Sequence, residues 1–167
     1  MTRDARWLET LFPSNAERTL PWPESQSETV TLWRPVGEHE LRLIARSGWQ
    51  AFPLRLPDQP IFYPVLNFAY AEEIARDWNA KRNNTPPIGF VTEFGVPVSV
   101  ATGYEIQIVG SADTHQELWI PAEEIDAFNT AIVAPIRVVA HYTGEGYEGQ
   151  IDPHTHLPTD LDKETTP

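Results

Sequence analysis

Hydrophobic and polar positions follow two different periods between residues 29 and 142, which predicts a domain built from both strands and helices. Residues 29–34 (TVTLWR) alternate with a period of two and are rich in β-branched side chains, as in a strand. Further strands are predicted at residues 49–54, 89–96, 104–110, 117–120 and 136–142. Helices are predicted at residues 38–47, from residue 67 onward and at 122–132, where apolar residues recur three and four positions apart. The irregular order of these elements favours a compact single α+β domain with about three helices and a mostly antiparallel, split or curved sheet.

Two residues mark the ends of these helices. Gly48 is placed as the stop of the first helix, and Asn67 is a suitable N-cap for the second. In the second helix an apolar stripe is predicted to face inward, and it consists of Ala71, Ile74, Ala75 and Trp78.

Residues 52–67 (FPLRLPDQPIFYPVLN) form a proline-rich segment that fits neither a strand nor a helix. Its four prolines each remove a backbone donor and disfavour helix at the preceding residue. Its other side chains are nevertheless mostly of the types that proteins bury. The pattern favours a fixed, irregular wall against the domain, which is where binding and catalytic groups are often placed. A structural plug over one end of the sheet is the alternative.

The two ends of the chain differ from the core domain at residues 29–142. Residues 1–28 contain a short predicted helix at 4–12, which carries Trp7, followed by a linker. Residues 143–167 lack apolar periodicity and are predicted to be a disordered acidic tail. Of the net charge of −12, residues 145–167 carry six acids against one lysine.

Composition narrows the class of protein. Hydrophobic residues at 41% and aromatics at 11% suffice for a folded core, and the absence of cysteine excludes disulfides and a thiol nucleophile. No basic patch indicates direct nucleic-acid contact, and no apolar run reaches membrane-spanning length. We therefore expect a soluble, cytoplasmic protein that does not bind membranes. Glycine-rich dinucleotide and nucleoside-triphosphate motifs are absent. We expect no metal site, and the His154 and His156 pair is interpreted as accidental.

Two charged residues are candidates for chemistry. Arg34 ends the first predicted strand, where a guanidinium facing a cleft suits a diphosphate; a surface arginine is the alternative. Strand alternation places His115, Glu117 and Trp119 on one face, where Glu117 could hydrogen-bond a ribose hydroxyl or stabilise positive charge. A solvent-facing strand side would explain the same pattern.

Aromatic side chains near the second helix are candidates for stacking. Tyr63 and Tyr70 flank the cap of this helix, and either ring could stack on a flat heterocycle such as nicotinamide or adenine. Both could instead be ordinary core or rim aromatics. Within the proline-rich segment, Tyr63 is the first candidate ligand-binding residue and Arg55 is the second.

The core also carries a family resemblance. The stretch from TLWRPVGEHELRLIARSGW through PIFYPVLNFAYAEEIARDWN, GFVTEFGV and HQELWIPAEEI resembles small uncharacterised bacterial proteins labelled "ADP-ribosylation/crystallin J1". The layout is also similar to the ADP-ribosyltransferase-like fold. This similarity implies that Arg34 binds the phosphates or ribose of NAD, that Tyr63 stacks on nicotinamide, and that Glu117 stabilises the oxocarbenium-like state as nicotinamide leaves.

The sequence departs from that family at two places. Transferases that modify arginine have Glu or Gln two residues before the catalytic Glu, and here that position is His115. The segment PIFYP stands where the family has a Ser-Thr-Ser element.

Two functions therefore follow from the sequence. One is an NAD-dependent ADP-ribosyltransferase-like enzyme that acts on an unknown protein or nucleic-acid acceptor. The other is a non-catalytic binding or immunity-type protein that engages a partner protein through its acidic tails and exposed aromatics.

Overall fold

The sheet at the centre of the molecule is antiparallel throughout. The structure, a computed structural model, describes residues 28–81, 83–110 and 114–161. Seven strands lie in these ranges: β1 (Thr29–Val36), β2 (Ile61–Phe62), β3 (Ile88–Pro97), β4 (Ile106–Ile108), β5 (Gln116–Leu118), β6 (Ile120–Pro121) and β7 (Arg137–Thr143). β3 lies between β1 and β7, while β4 pairs with β5 and β2 pairs with β6. The predicted short helix at residues 4–12 lies outside the described residues.

The proline-rich segment joins these strands into one layer. Val65 exchanges two backbone hydrogen bonds with Trp33 of β1, at 3.0 and 2.7 Å, and its other side bridges to Glu117 of β5. The layer therefore runs β7, β3, β1, residues 64–66, β5, β4. The prolines are tolerated because Pro64 needs only its carbonyl here, which accepts from the Leu118 N–H at 2.9 Å.

Four α-helices pack around this layer in the described ranges: α1 (Glu38–Arg46), α2 (Phe68–Ile74), α3 (Val98–Ala101) and α4 (Ile125–Ala131). A 3₁₀ turn (Ala122–Glu124) precedes α4. The predicted N-cap of α2 is confirmed, because the Asn67 side chain accepts the backbone N–H of Tyr70 at 2.8 Å. Gly48 follows α1 with φ of +77°, a conformation that suits glycine at a helix end. An α+β domain with antiparallel pairing is thus confirmed.

The two faces of the sheet are covered by different cores. The larger core includes Phe52, Phe62, Phe94 and Phe128, whose rings are in mutual contact. The smaller core lies under α2 and consists of Val65, Tyr70, Ala71, Ala75 and Val91. Consecutive side chains of a strand point to opposite faces of the sheet. Along β1, and likewise along β5, consecutive residues therefore belong to different cores.

The end of the second helix differs from the prediction. Residues Ala75–Asn79 form a π turn, which adds about one residue to the turn, so the predicted spacing no longer holds beyond Ala75. Trp78 is therefore not part of the inward stripe: it is 66% exposed and lies against the ammonium group of Lys81. The turn also packs closely on the sheet at Gly89.

The early part of the proline-rich segment also differs. No strand forms at residues 49–54, although Phe52 is buried and its backbone N–H donates to the Asn129 side chain at 2.9 Å. Leu54 and Leu56 are exposed instead of buried. The prediction of burial was wrong for them because the segment has little sheet pairing before Pro60 and turns at Asp58.

Residues 144–161 contradict the prediction of a disordered tail. Tyr147, Ile151 and Leu157 pack against the larger core, and Leu161 is buried. The Asp160 carboxylate accepts from Arg42 of α1 at 3.1 Å. These apolar residues have no regular spacing in the sequence, because they belong to a loop and not to a helix or strand. Each of them is buried by a separate contact. The folded domain therefore includes residues 144–161.

Candidate functional site

An interrupted ladder between the proline-rich segment and β5–β6 creates an opening at the sheet surface. Ile61 pairs with Pro121, and Val65 bridges to Glu117 in the same register. This register places Tyr63 directly opposite Trp119, and no backbone ladder forms between those two residues. Both side chains are partly exposed, at 37% and 42%. Two aromatic side chains thus line the opening where the strands separate.

The Glu117 carboxylate lies at the base of this opening. It is only 6% exposed. One oxygen accepts from the Tyr70 hydroxyl at 2.7 Å, and the other accepts from the Trp119 indole N–H at 2.9 Å. Two neutral donors therefore fix the orientation of the carboxylate.

Tyr70 supports Glu117 from the side of α2. Its ring stacks on the His115 imidazole with centroids 4.3 Å apart and planes 10° apart, and His115 Nε2 lies 2.7 Å from a Glu73 oxygen. Burial and the hydrogen bond to Glu117 raise the pKa of the Tyr70 hydroxyl, so this group remains a donor. The ring of Tyr70 already has a stacking partner and is buried. The prediction that Tyr70 could stack on a ligand is therefore wrong, and Tyr70 positions Glu117 instead.

Arg34 lies beneath the opening and not on its wall. Its guanidinium forms a two-pronged pair with the Glu40 carboxylate, at 2.7 and 2.9 Å, and stands 4.9 Å from the Phe62 ring centroid and 5.3 Å from that of Tyr63. Burial acts to lower the pKa of Arg34, but the Glu40 carboxylate outweighs it and the pKa is raised. Since Trp33 shares the face of Glu117, the Arg34 side chain leaves β1 on the opposite face. Arg34 therefore supports Tyr63 and is not free to bind phosphate.

Arg55 is the cation at the opening itself. Its guanidinium carbon lies 6.0 Å from the Tyr63 ring centroid, and its Nε is buried without a hydrogen-bond partner in the described ranges. Burial and the nearby charge of Arg34 lower the pKa of Arg55, which still leaves it charged at neutral pH. An anionic group of a ligand would satisfy this donor. Together these side chains line an open cleft of about 450 Å³, whose lining also includes Gln59, Pro60, Ile61 and Val109.

The structure thus brings three of the predicted site residues to one cleft, namely Arg55, Tyr63 and Glu117. Arg34, Tyr70 and His115 lie behind or beneath these residues. Trp119 was placed on the correct face by strand alternation but was not named as a site residue. The signal that identifies it is its register opposite Tyr63, which the sequence alone does not give. No sequence pattern indicates that Glu40 is the partner of Arg34, because the contact joins a strand to a helix.

Comparison of the chain with protein-family models, curated proteins and solved structures finds no match to any of them. In the described ranges, no helix is long and apolar enough to cross a membrane. The same residues hold no group of three or more side chains arranged to bind a metal ion.

The hydrogen bond from Tyr70 gives a test of how Glu117 is held. We expect Tyr70→Phe to lower the free energy of unfolding by about 1–3 kcal/mol, because one oxygen of a buried carboxylate loses its donor. Urea denaturation measures this change. Tyr104→Phe is the matched control, since the Tyr104 hydroxyl reaches Glu124 at only 3.3 Å in an exposed position. An equal loss in both variants would contradict the role assigned to Tyr70.

Proposed function

We propose that the cleft binds NAD and that the protein transfers ADP-ribose to an acceptor. The observation that carries this proposal is the buried Glu117 carboxylate, fixed by two neutral donors at the base of a cleft with two exposed aromatic side chains and an arginine. A carboxylate in this setting supports a reaction in which positive charge develops on a sugar.

The role assigned to Glu117 is to stabilise the positive charge that develops on the ribose. When the bond between ribose C1′ and the nicotinamide nitrogen breaks, nicotinamide leaves with the electron pair and the ribose becomes oxocarbenium-like. The Glu117 carboxylate stabilises this positive charge. A nucleophile of the acceptor then bonds to C1′, and its proton passes to Glu117 and on to solvent. The products are nicotinamide, ADP-ribosylated acceptor and one proton.

The remaining cleft residues bind the parts of NAD that do not react. Tyr63 and Trp119 are partly exposed aromatic side chains in the cleft and are assigned to nicotinamide, whose planar ring stacks on aromatic side chains. Arg55 carries a donor without a partner and is suited to the diphosphate. In this proposal Arg55 takes the role that the sequence resemblance gave to Arg34, because Glu40 already occupies Arg34.

The proposal is tested by incubating the full chain with NAD that is labelled in the nicotinamide ring. Release of nicotinamide above the rate in buffer supports it. Absence of both release and NAD binding, measured by calorimetry, would reject it. The acceptor need not be known for this measurement, because water can accept ADP-ribose slowly in its place.

Arg55 provides a second test that separates binding from folding. We expect Arg55→Gln to weaken NAD binding by roughly 10- to 100-fold, which corresponds to the loss of a charge-assisted hydrogen bond. Stability should change little, because Arg55 has no ion-pair partner among the described residues that the variant would leave behind. Calorimetric titration with NAD measures the affinity. Unchanged affinity in Arg55→Gln would remove Arg55 from the site.

A second candidate function rests on the apolar surface at the mouth of the cleft. Leu54 and Leu56 are 67% and 61% exposed and flank the cleft residue Arg55 in the sequence, while Tyr63 and Trp119 are also exposed. Such a patch is typical of a surface that binds another protein. If the protein is a non-catalytic binding module, Leu54→Ser combined with Leu56→Ser should abolish capture of a stoichiometric partner. Capture that persists in this variant would contradict a binding role for this surface.

A further inference from the structure

A pair of histidines lies at the opposite edge of the sheet from β5. His141 belongs to the edge strand β7, and His156 belongs to the loop that follows it. Their Nδ1 atoms are 2.9 Å apart, and their ring centroids are 5.1 Å apart. Both rings are partly buried. Each imidazole therefore presents the same nitrogen to the other.

The loop that carries His156 is held rigidly. Ile151 bridges to Pro158, and the Asp152 N–H donates to the Leu157 carbonyl at 2.9 Å. The Asp152 carboxylate accepts the backbone N–H of His154 at 2.7 Å, and the Asp152 carbonyl accepts that of His156 at 2.8 Å. These hydrogen bonds hold the loop in one turn. They therefore define the backbone position from which the His156 ring projects.

His156 occupies a left-handed backbone conformation. Its φ is +61°, a region that is uncommon for residues other than glycine, although Asn, Asp and His adopt it more often than other side chains do. A residue other than glycine stays in this region only where the surrounding structure imposes it. The imidazole of His156 lies against that of His141 from this position.

We propose that His141 and His156 form a binding site for a divalent transition-metal ion that favours imidazole, such as Zn²⁺. Two nitrogens bound to a tetrahedral ion at about 2.0 Å stand roughly 3.3 Å apart. The observed 2.9 Å separation is within a few tenths of an ångström of that spacing, and each ring must also rotate so that its Nδ1 lone pair points at the ion and not at the other nitrogen. The Asp152 carboxylate in the same loop adds negative charge close to His156.

Without metal, the same pair forms a hydrogen bond in which one ring donates its Nδ1 proton to the other. When metal binds, the donating ring changes tautomer, its proton moves to Nε2, and both Nδ1 atoms become ligands. Water molecules complete the coordination, since the described residues offer no third ligand of the usual kind. The ion would therefore link the loop at residues 151–158 to the edge of the sheet.

The test is calorimetric titration of the full chain with Zn²⁺, with Ca²⁺ as the negative control because Ca²⁺ prefers oxygen ligands. We expect one equivalent of Zn²⁺ to bind, and His156→Asn to weaken binding by at least roughly tenfold. Asparagine tolerates the left-handed conformation, so the loop should be retained. His154→Asn, two residues away and exposed, is the matched control and should bind as the unmodified chain does.

Two results would overturn the site. One is equal Zn²⁺ affinity in the unmodified chain and in His156→Asn, and the other is loss of binding in His154→Asn. Nitrogen NMR of the unmodified chain gives a test that does not depend on variants. Zn²⁺ should shift the Nδ1 signals of His141 and His156, and unchanged signals at saturating Zn²⁺ would reject the proposal.

Discussion

Replacing Glu117 by Gln should lower the rate of nicotinamide release from NAD by at least about 10²-fold while leaving NAD binding largely intact. The amide is almost the same size as the carboxylate but carries no charge to stabilise an oxocarbenium-like ribose. Losses of this size are typical when one preorganised electrostatic group is removed from an active site. Tyr70 and Trp119 still contact the amide, so the cleft should retain its shape.

Glu93 provides a matched control for that experiment. It accepts the indole N–H of Trp33 at 3.0 Å, as Glu117 accepts that of Trp119 at 2.9 Å, and both residues lie in the same cross-strand row. Glu93 does not line the cleft. Glu93→Gln should therefore leave nicotinamide release unchanged. If the two variants lose activity equally, a disturbance of the sheet explains the loss, and the chemical role assigned to Glu117 is contradicted.

The second large effect is expected at Gly89, where the backbone of the π turn lies directly on β3. A Cβ atom at this position would overlap the Ala75 carbonyl oxygen and stand 2.8 Å from the Asn79 Cβ. The obstacle is backbone, so a side-chain rotation cannot relieve it. We expect Gly89→Ala to lower the free energy of unfolding by about 3 kcal/mol or more, at the upper end of the range for overpacking. For a domain of ordinary stability this is a large fraction of the total.

Gly37→Ala is the control for this substitution, because a Cβ there meets no atom within 4 Å. Urea or thermal denaturation of both variants measures the difference. Gly37→Ala should cost no more than about 1 kcal/mol, the usual scale of a change at an N-cap, since Gly37 is the N-cap of α1. If Gly89→Ala were equally mild, the π turn would have to move away from the sheet without cost, and the close packing described for it would be wrong.

Local patterns in the sequence predicted much of the fold. The strand at 89–96 and the helix beginning after Asn67 depend on alternation and capping, which act over a few residues. The π turn at Ala75–Asn79 was not predictable in this way, because it depends on how the helix meets Gly89 on another strand. The order of residues 144–161 was missed for the same reason, since non-local contacts bury its apolar side chains.

The candidate site shows the same division. Alternation placed Glu117 and Trp119 on one face, and the proline-rich segment indicated where irregular backbone would lie. The sequence does not reveal that Glu40 pairs with Arg34, or that Arg55 and not Arg34 lines the cleft. Ion pairs between separate elements depend on side-chain directions that no spacing rule supplies.

The shared register of the proline-rich segment with β5 and β6 has a consequence for insertions and deletions. Because side chains in paired strands alternate between faces, removing one residue between Phe62 and Val65 would exchange the two faces for one side of the break. Tyr63 would then turn toward the larger core, or Val65 would turn away from α2. Inserting two residues would preserve the alternation. In this part of the chain, the effect of an insertion should therefore depend on whether its length is odd or even: an odd insertion disrupts both the core and the cleft, while an even insertion lengthens the opening and leaves the faces in place.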